Sequence, residues 1–142
     1  MLIKIVDDDQ VFVKKIKDIV YDNFKDIFLD YSIECITSNF EAHYFEKGDI
    51  FFLDIDLKEK NGIKIAEEIR ENNSNAIIIF VSAMNDMIFD SLIVQPFYFI
   101  RKDNFDRDMK IAFKNILIRI IKLLLLILMV KKQLFNYQIS FI

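Results

Sequence analysis

The sequence predicts an α/β fold: a doubly wound parallel sheet of five strands with helices on both faces. Three observations carry this. Apolar runs too short for helices recur along the chain, and segments with helical spacing of their apolar residues separate them. Some runs, such as Ile50-Phe51-Phe52-Leu53, are apolar at every position, as strands buried on both faces of a parallel sheet are. Strands alternating with helices imply parallel pairing, and the fixed hand of the crossovers leaves few topologies.

Strand one is Leu2 to Val6, cut off by Asp7-Asp8-Asp9. From Gln10 to about Phe24, Val13, Ile16, Val20 and Phe24 recur at helical spacing with Lys14, Lys15, Lys17 and Asp18 on the other face, which makes the first helix; Asp9 suits its solvated start. Tyr31 to Ile36 reads as strand two. Ser38 is placed to cap a short helix running through Glu46, which Gly48 ends. Ile50 to Asp54 is strand three, and Asn61-Gly62 is a turn into an amphipathic helix from Ile63 to Glu71. Ala76 to Val81 forms strand four, Asn85 to Leu92 a weaker helix, and Phe97 to Arg101 strand five. The last helix starts near Asn104.

A chain of 142 residues, 54% hydrophobic, has material for one domain, here residues 1–117, followed by a tail, 118–142. The net charge of -3 argues against a nucleic-acid surface, which needs a clustered basic face. The lone cysteine, Cys35, rules out a disulfide framework and Cys/His metal spacing; it reads as a small buried core residue of a cytoplasmic protein. No leader peptide is expected, because the first apolar run is short and carboxylates follow at once. His43, the only histidine, sits between Ala42 and Tyr44 on a short helix and reads as structural or surface.

Ligands of doubly wound sheets bind beyond the carboxyl ends of the strands. Strand one ends in Asp7 and Asp8, strand three in Asp54, strand four in Ser82 and strand five in Lys102. Three carboxylates, a hydroxyl and an ammonium thus converge from four strands. Two carboxylates about 4 Å apart repel by roughly 4 kcal/mol at an effective dielectric of about 20, so the cluster calls for a cation or for protonation. Mg²⁺ suits it, since that ion takes one or two carboxylates plus a phosphate oxygen and keeps several waters. A carboxylate that attacks a phosphoryl group gives an acyl phosphate, whose oxygens then want the metal, a positive side chain and a hydroxyl. In this reading Asp7 and Asp8 hold Mg²⁺, with the Asp56 backbone carbonyl as a further ligand. Asp54 accepts the phosphoryl group, Lys102 pairs with its oxygens, and Ser82 donates to one of them.

From Leu2 to about Leu117 the chain resembles the receiver domain of two-component response regulators. The resemblance rests on Ile-Val-Asp-Asp at 5–8, Phe-Leu-Asp-Ile-Asp-Leu at 52–57, Asn-Gly at 61–62, Val-Ser-Ala at 81–83 and Phe-Ile-Arg-Lys at 99–102. It implies a flavodoxin-like strand order of 2-1-3-4-5 and a signalling phosphoacceptor, with at most slow self-dephosphorylation, that takes its phosphoryl group from a sensor histidine kinase. It also implies a switch in which Phe99 rotates inward as Ser82 is drawn to the phosphoryl group. Homodimers would form through the segments 85–92 and 97–101 and the helix after them, or through the apolar tail. The stretch Val94-Gln-Pro-Phe-Tyr-Phe-Ile-Arg-Lys102 looks most like LytTR-type, Agr-like transcription regulators of Gram-positive bacteria. One departure is Asp103, where the family usually carries a proline, commonly cis, that helps aim the lysine. Asp54-Ile55-Asp56 also mimics the nucleophile motif of Mg²⁺-dependent phosphatases of the haloacid dehalogenase type. Order decides against that reading, since there the Asp-x-Asp pair comes first and the acidic pair last.

Ile116 to Val130 is apolar apart from Arg119 and Lys122. Fifteen helical residues reach about 22 Å against a hydrocarbon core of about 30 Å, which disfavours a membrane span. The stretch reads as an extension of the last helix with an exposed apolar stripe. Beyond Lys132, Phe135, Tyr137, Ile139 and Phe141 alternate with other residues like a strand. Read in a neighbouring frame, AT-rich codons for the stretch from Ile121 can encode residues resembling the opening strands of a LytTR DNA-binding domain. The chain would then be a frameshifted regulator that has lost its DNA-binding output; otherwise it is a complete single-domain regulator acting by protein contact.

Overall fold

Five parallel strands form one sheet in the order β2-β1-β3-β4-β5 in the computed structural model, which describes residues 1–27 and 30–142. The strands are β1 (Leu2–Val6), β2 (Ser32–Ile36), β3 (Ile50–Leu53), β4 (Ile77–Ser82) and β5 (Tyr98–Arg101). The expected strand order holds. β3, the middle strand, is buried at every position. Register then fixes what the strands bring to their carboxyl edge. Val6 pairs with Ile36 on one side and Leu53 on the other, Leu53 pairs with Phe80, and Ser82 pairs with Arg101. Asp7 and Asp54, each one residue past its strand, therefore emerge side by side.

Helix α1 (Gln10–Phe24) buries Val13, Ile16, Val20 and Phe24, the stripe that its spacing predicts. Asp9 caps it, its carboxylate accepting the Val11 amide at 2.9 Å. Helix α2 (Gly62–Asn72) buries Ile63, Ile65, Ala66 and Ile69 in a core shared with Val6, Phe51, Leu53, Ile78 and Phe80. The crossovers on either side of the β1–β3 pair run in opposite directions along the sheet, so right-handed connections put α1 and α2 on opposite faces.

Three local expectations need correction. The segment from Ser38 to Glu46 forms only a 3₁₀ turn, Ala42–Phe45, preceded by Glu41 with no side-chain cap. Asn39 takes a left-handed conformation (φ 57°) and breaks the approach, while Phe40 and Phe45 are both buried, a spacing of five residues that does not keep to one face of a helix. The weak helix after β4 is divided into the 3₁₀ turn Asn85–Met87, a single α-helical turn, α3 (Ile88–Ser91), and the 3₁₀ turn Leu92–Val94. Cys35 is exposed rather than buried, because β2 is an edge strand on which only Ile36 is fully covered.

Lys4 lies buried in β1. Its ammonium donates to the Tyr44 carbonyl in the 3₁₀ turn and stands 3.5 Å from Glu34 of β2. The charge is thus met on both sides, as a buried ammonium requires.

The chain divides into two compact units, Met1–Phe105 and Asp106–Ile142. Helix α4 (Phe105–Ser140) supplies nearly all of the second and, at 36 residues, is about 54 Å long. It runs on through the residues expected as a strand. Among the described residues no further strand is present to pair with them, and a helix satisfies its own backbone while setting Tyr137 edge to face with Phe141 one turn later at 4.8 Å. Met109, Ala112, Phe113 and Ile116 are buried, whereas every residue from Leu123 to Val130 is 47–62% exposed. Met109, Phe113, Ile116, Ile120, Leu123, Ile127, Val130, Leu134, Tyr137 and Phe141 follow one another in alternating steps of four and three, a heptad seam. Among the described residues no helix is long and apolar enough to cross a membrane.

Candidate functional site

The carboxyl edge of the sheet opens into a cleft of about 470 Å³ lined by Asp8, Asp9, Phe12, Asp54, Asp56, Lys58, Ser82, Ala83, Met84 and Lys102. Asp7 stands behind it, 1% exposed, and Asp54 is 5% exposed. Backbone pairing continues just past the strands: the Asp54 amide donates to the Val6 carbonyl at 2.9 Å and the Asp7 amide to that of Ile36 at 3.2 Å. Both aspartates are therefore held by main chain before their side chains are considered.

Gly62 explains how α2 can begin against this edge. Asn61 caps the helix, its side chain accepting the Ile63 amide at 2.8 Å, and the Gly62 amide donates to the Ile55 carbonyl at 2.7 Å. A Cβ on Gly62 would stand 1.9 Å from the Asp54 carbonyl oxygen. Asn61-Gly62 is thus more than a turn, because it allows α2 and the end of β3 to meet backbone to backbone.

The predicted side chains do converge. Lys102 Nζ lies 2.8 Å from Asp7 Oδ2 and 2.9 Å from Asp54 Oδ2. The other Asp7 oxygen, Oδ1, accepts the Asp9 amide at 2.8 Å. Asp54 Oδ1 has no hydrogen-bond partner, and Asp7 Oδ2, close as the ammonium is, has no aligned hydrogen bond. One carboxylate oxygen from each of Asp7, Asp8 and Asp54 falls within 4.8 Å of the others. The unpartnered Asp54 Oδ1, with carboxylate oxygens of Asp7 and Asp8 beside it, is a donor set that fits a hard divalent cation. Burial pushes the Asp7 carboxyl up to about 6; the neighbouring Asp54 charge adds to the rise, and Lys102 and the Asp9 amide oppose it. Burial pulls the Lys102 ammonium down, but its bonds to Asp54 and Asp7 prevail and leave it above the ordinary lysine value.

Ser82 is fully buried at the end of β4 and its Oγ accepts the Met84 amide at 3.2 Å, which leaves the hydroxyl proton as a donor. Asp56 lines the cleft and turns its own carboxylate to the Lys58 amide at 3.1 Å. Phe99 is partly buried, its ring 6.1 Å from that of Phe80, its partner across β4 and β5. Asn85 donates to Asp103 at 3.2 Å, linking the exits of β4 and β5.

Phe12 and Lys58 are among the cleft residues that sequence did not signal. Phe12 falls outside the buried stripe of α1, yet its ring lies beneath Lys102. Lys58, in a left-handed conformation (φ 61°), brings its ammonium to 3.5 Å from Asp8 at the cleft mouth. His43 lies away from the cleft, exposed beside Glu41.

Comparison with protein families matches residues 3–114 to the response regulator receiver domain. Among solved structures, a response regulator protein from Thermotoga maritima in complex with Mg²⁺-BeF is 25% identical, with 80% of this chain and 97% of that one covered and a TM-score of 0.57. The receiver domain of a DNA-binding response regulator from Colwellia psychrerythraea shares 18% identity over 82% of this chain and 98% of its own, with a TM-score of 0.68. A response regulator from Burkholderia pseudomallei, with a phosphorylated aspartic acid and a calcium ion, shares 13% identity and a TM-score of 0.59. That match covers 71% of this chain and 59% of the Burkholderia protein. Comparison with the curated proteins gives no match.

Proposed function

Because the chain belongs to the receiver domains of two-component response regulators, we propose that Asp54 is its phosphoacceptor and that a sensor histidine kinase supplies the phosphoryl group. The observation that carries this is the pairing of Asp54 Oδ1, free of any hydrogen bond, with a Lys102 ammonium 2.9 Å from Asp54 Oδ2. Oδ1 attacks phosphorus, the bond from phosphorus to the kinase histidine nitrogen breaks, and that nitrogen takes back the electron pair. Lys102 then turns from Asp54 Oδ2 to the phosphoryl oxygens, and the Ser82 hydroxyl donates a hydrogen bond to one of them. Asp7, Asp8, Asp54 and the Asp56 carbonyl would hold Mg²⁺, which supplies charge neutralisation to the transferring group. The Mg²⁺-BeF complex of the Thermotoga maritima protein supports that choice of ion.

The test is to incubate the full chain with acetyl phosphate and Mg²⁺ and weigh it. The expected result is one added phosphoryl group that Asp54→Asn abolishes. No adduct, or one that survives the substitution, overturns the assignment.

The resemblance of Val94–Lys102 favours a place in the LytTR-type, Agr-like branch of transcription regulators, with the receiver at residues 1–117. Phosphorylation would draw Ser82 and Phe99 inward and alter the face of residues 85–101. Homodimers would form through that face or through the heptad seam of α4. The tail, 118–142, then reads as a frameshifted remnant of a DNA-binding output, and a gene sequence whose neighbouring frame lacks LytTR similarity overturns that reading.

A further inference from the structure

Lys102 meets more than the carboxylates of Asp7 and Asp54. Its Nζ also stands 4.5 Å from the centroid of the Phe12 ring. Phe12 occupies the first turn of α1, just past the Asp9 cap, and lines the cleft. Its ring meets that of Phe105 edge to face, 5.5 Å between centroids at 71°. Phe105 is itself buried and directly follows the 3₁₀ turn Lys102–Asn104. Lys15 covers the pair from outside, 4.8 Å from the Phe105 centroid and 5.7 Å from that of Phe12.

A lysine ammonium ends a flexible four-carbon stem, so its aim must come from what surrounds it. The face of an aromatic ring attracts a cation electrostatically, more strongly where water is excluded. We propose that Phe12 is a positioning residue for Lys102: its ring face, anchored by Phe105, holds the ammonium over Asp54 and Asp7. The bland reading, an aromatic that merely packs on Phe105, explains the edge contact but not the ammonium over the face. Cation–π attraction of this kind corresponds to roughly 2- to 30-fold in an equilibrium.

The inference rests on the phosphoacceptor reading, and the experiment separates the two. Phosphorylation by acetyl phosphate with Mg²⁺ is timed by mass for the wild-type chain, Phe12→Tyr, Phe12→Leu and Lys102→Ala. Phe12→Leu is also timed in the Lys102→Ala background. In parallel, the ε-methylene protons of Lys102 are assigned by NMR, where the ring face moves them upfield. Expected are a roughly 2- to 30-fold slower Phe12→Leu with the upfield shift lost, a Phe12→Tyr close to wild type in both, and no further slowing by Phe12→Leu once Lys102 is alanine. A Phe12→Leu protein that keeps the wild-type rate, or one that slows the Lys102→Ala protein equally, overturns the role. Should Phe12→Leu unfold, Phe12→Met carries the same comparison. If the wild-type chain takes no phosphoryl group, the functional reading fails, while the NMR comparison still decides whether Phe12 aims Lys102.

Discussion

Lys102 Nζ stands 2.9 Å from Asp54 Oδ2, so the half-buried cation of the site is already bound to the proposed phosphoacceptor. Asp7 shares the same ammonium at 2.8 Å. Removing the cation leaves two buried carboxylates facing each other, a loss on the order of 3 kcal/mol for a broken buried pair. Lys102→Met is therefore expected to lower urea stability by about that amount in metal-free buffer. Added Mg²⁺ should restore part of it; equal melts with and without the ion would show that the carboxylates do not share a cation.

Lys4 gives a second test, remote from the cleft. Its ammonium joins the Tyr44 carbonyl to Glu34, and Glu34 is half exposed. Glu34→Gln should cost less than about 1 kcal/mol, because a solvated partner contributes little. Lys4→Ala removes a buried stem and orphans the carbonyl, for an expected loss of about 2–4 kcal/mol by chemical denaturation. The reverse ranking would mean that the 3₁₀ turn is held by other contacts.

Cys35 is exposed as a residue, but partial burial of its thiol raises the pKa above the ordinary 9.0, with the Lys17 charge opposing. The thiolate is the form disfavoured, and the thiolate is what alkylates. Iodoacetamide labelling should therefore be slow at pH 7.5 and rise with pH through a midpoint above 9.0. A midpoint below that value would contradict the burial.

The seam of α4 predicts self-association. Ile127 and Val130 lie on it and Leu125 does not, although all three are about half exposed. Sedimentation of the full chain is expected to give more than the 17.0 kDa of one copy. Ile127→Lys should shift the chain toward that mass more than Leu125→Lys does. Equal effects of both would point to unspecific adhesion of an apolar rod.

Much of this was legible in residue order. Apolar runs closed by Asp7, Asp54 and Lys102 place three strands and their chemistry together, because a parallel sheet delivers every strand's end to one edge. What sequence misses depends on packing between distant segments. Nothing near Phe12 in sequence signals that its ring will lie under Lys102, ninety positions away. Periodicity misjudges 38–46, where Asn39 turns left-handed, and the chain end, where a few alternating residues outweigh the helix that already runs into them. Cys35 is misplaced because strand order, not strand composition, makes β2 an edge. At position 103 the family proline is absent, and the side chain there bonds to Asn85 instead.

The 1.9 Å between the Asp54 carbonyl oxygen and the place of a Gly62 Cβ has a use beyond this molecule. Every other amino acid carries that carbon. A descendant or relative with anything else at this position must have shifted the backbone of the residue matching Asp54 or the start of its second helix. Position 62 can therefore be scored from genomic data as a marker for copies whose site backbone has shifted, even in chains whose acidic residues all survive.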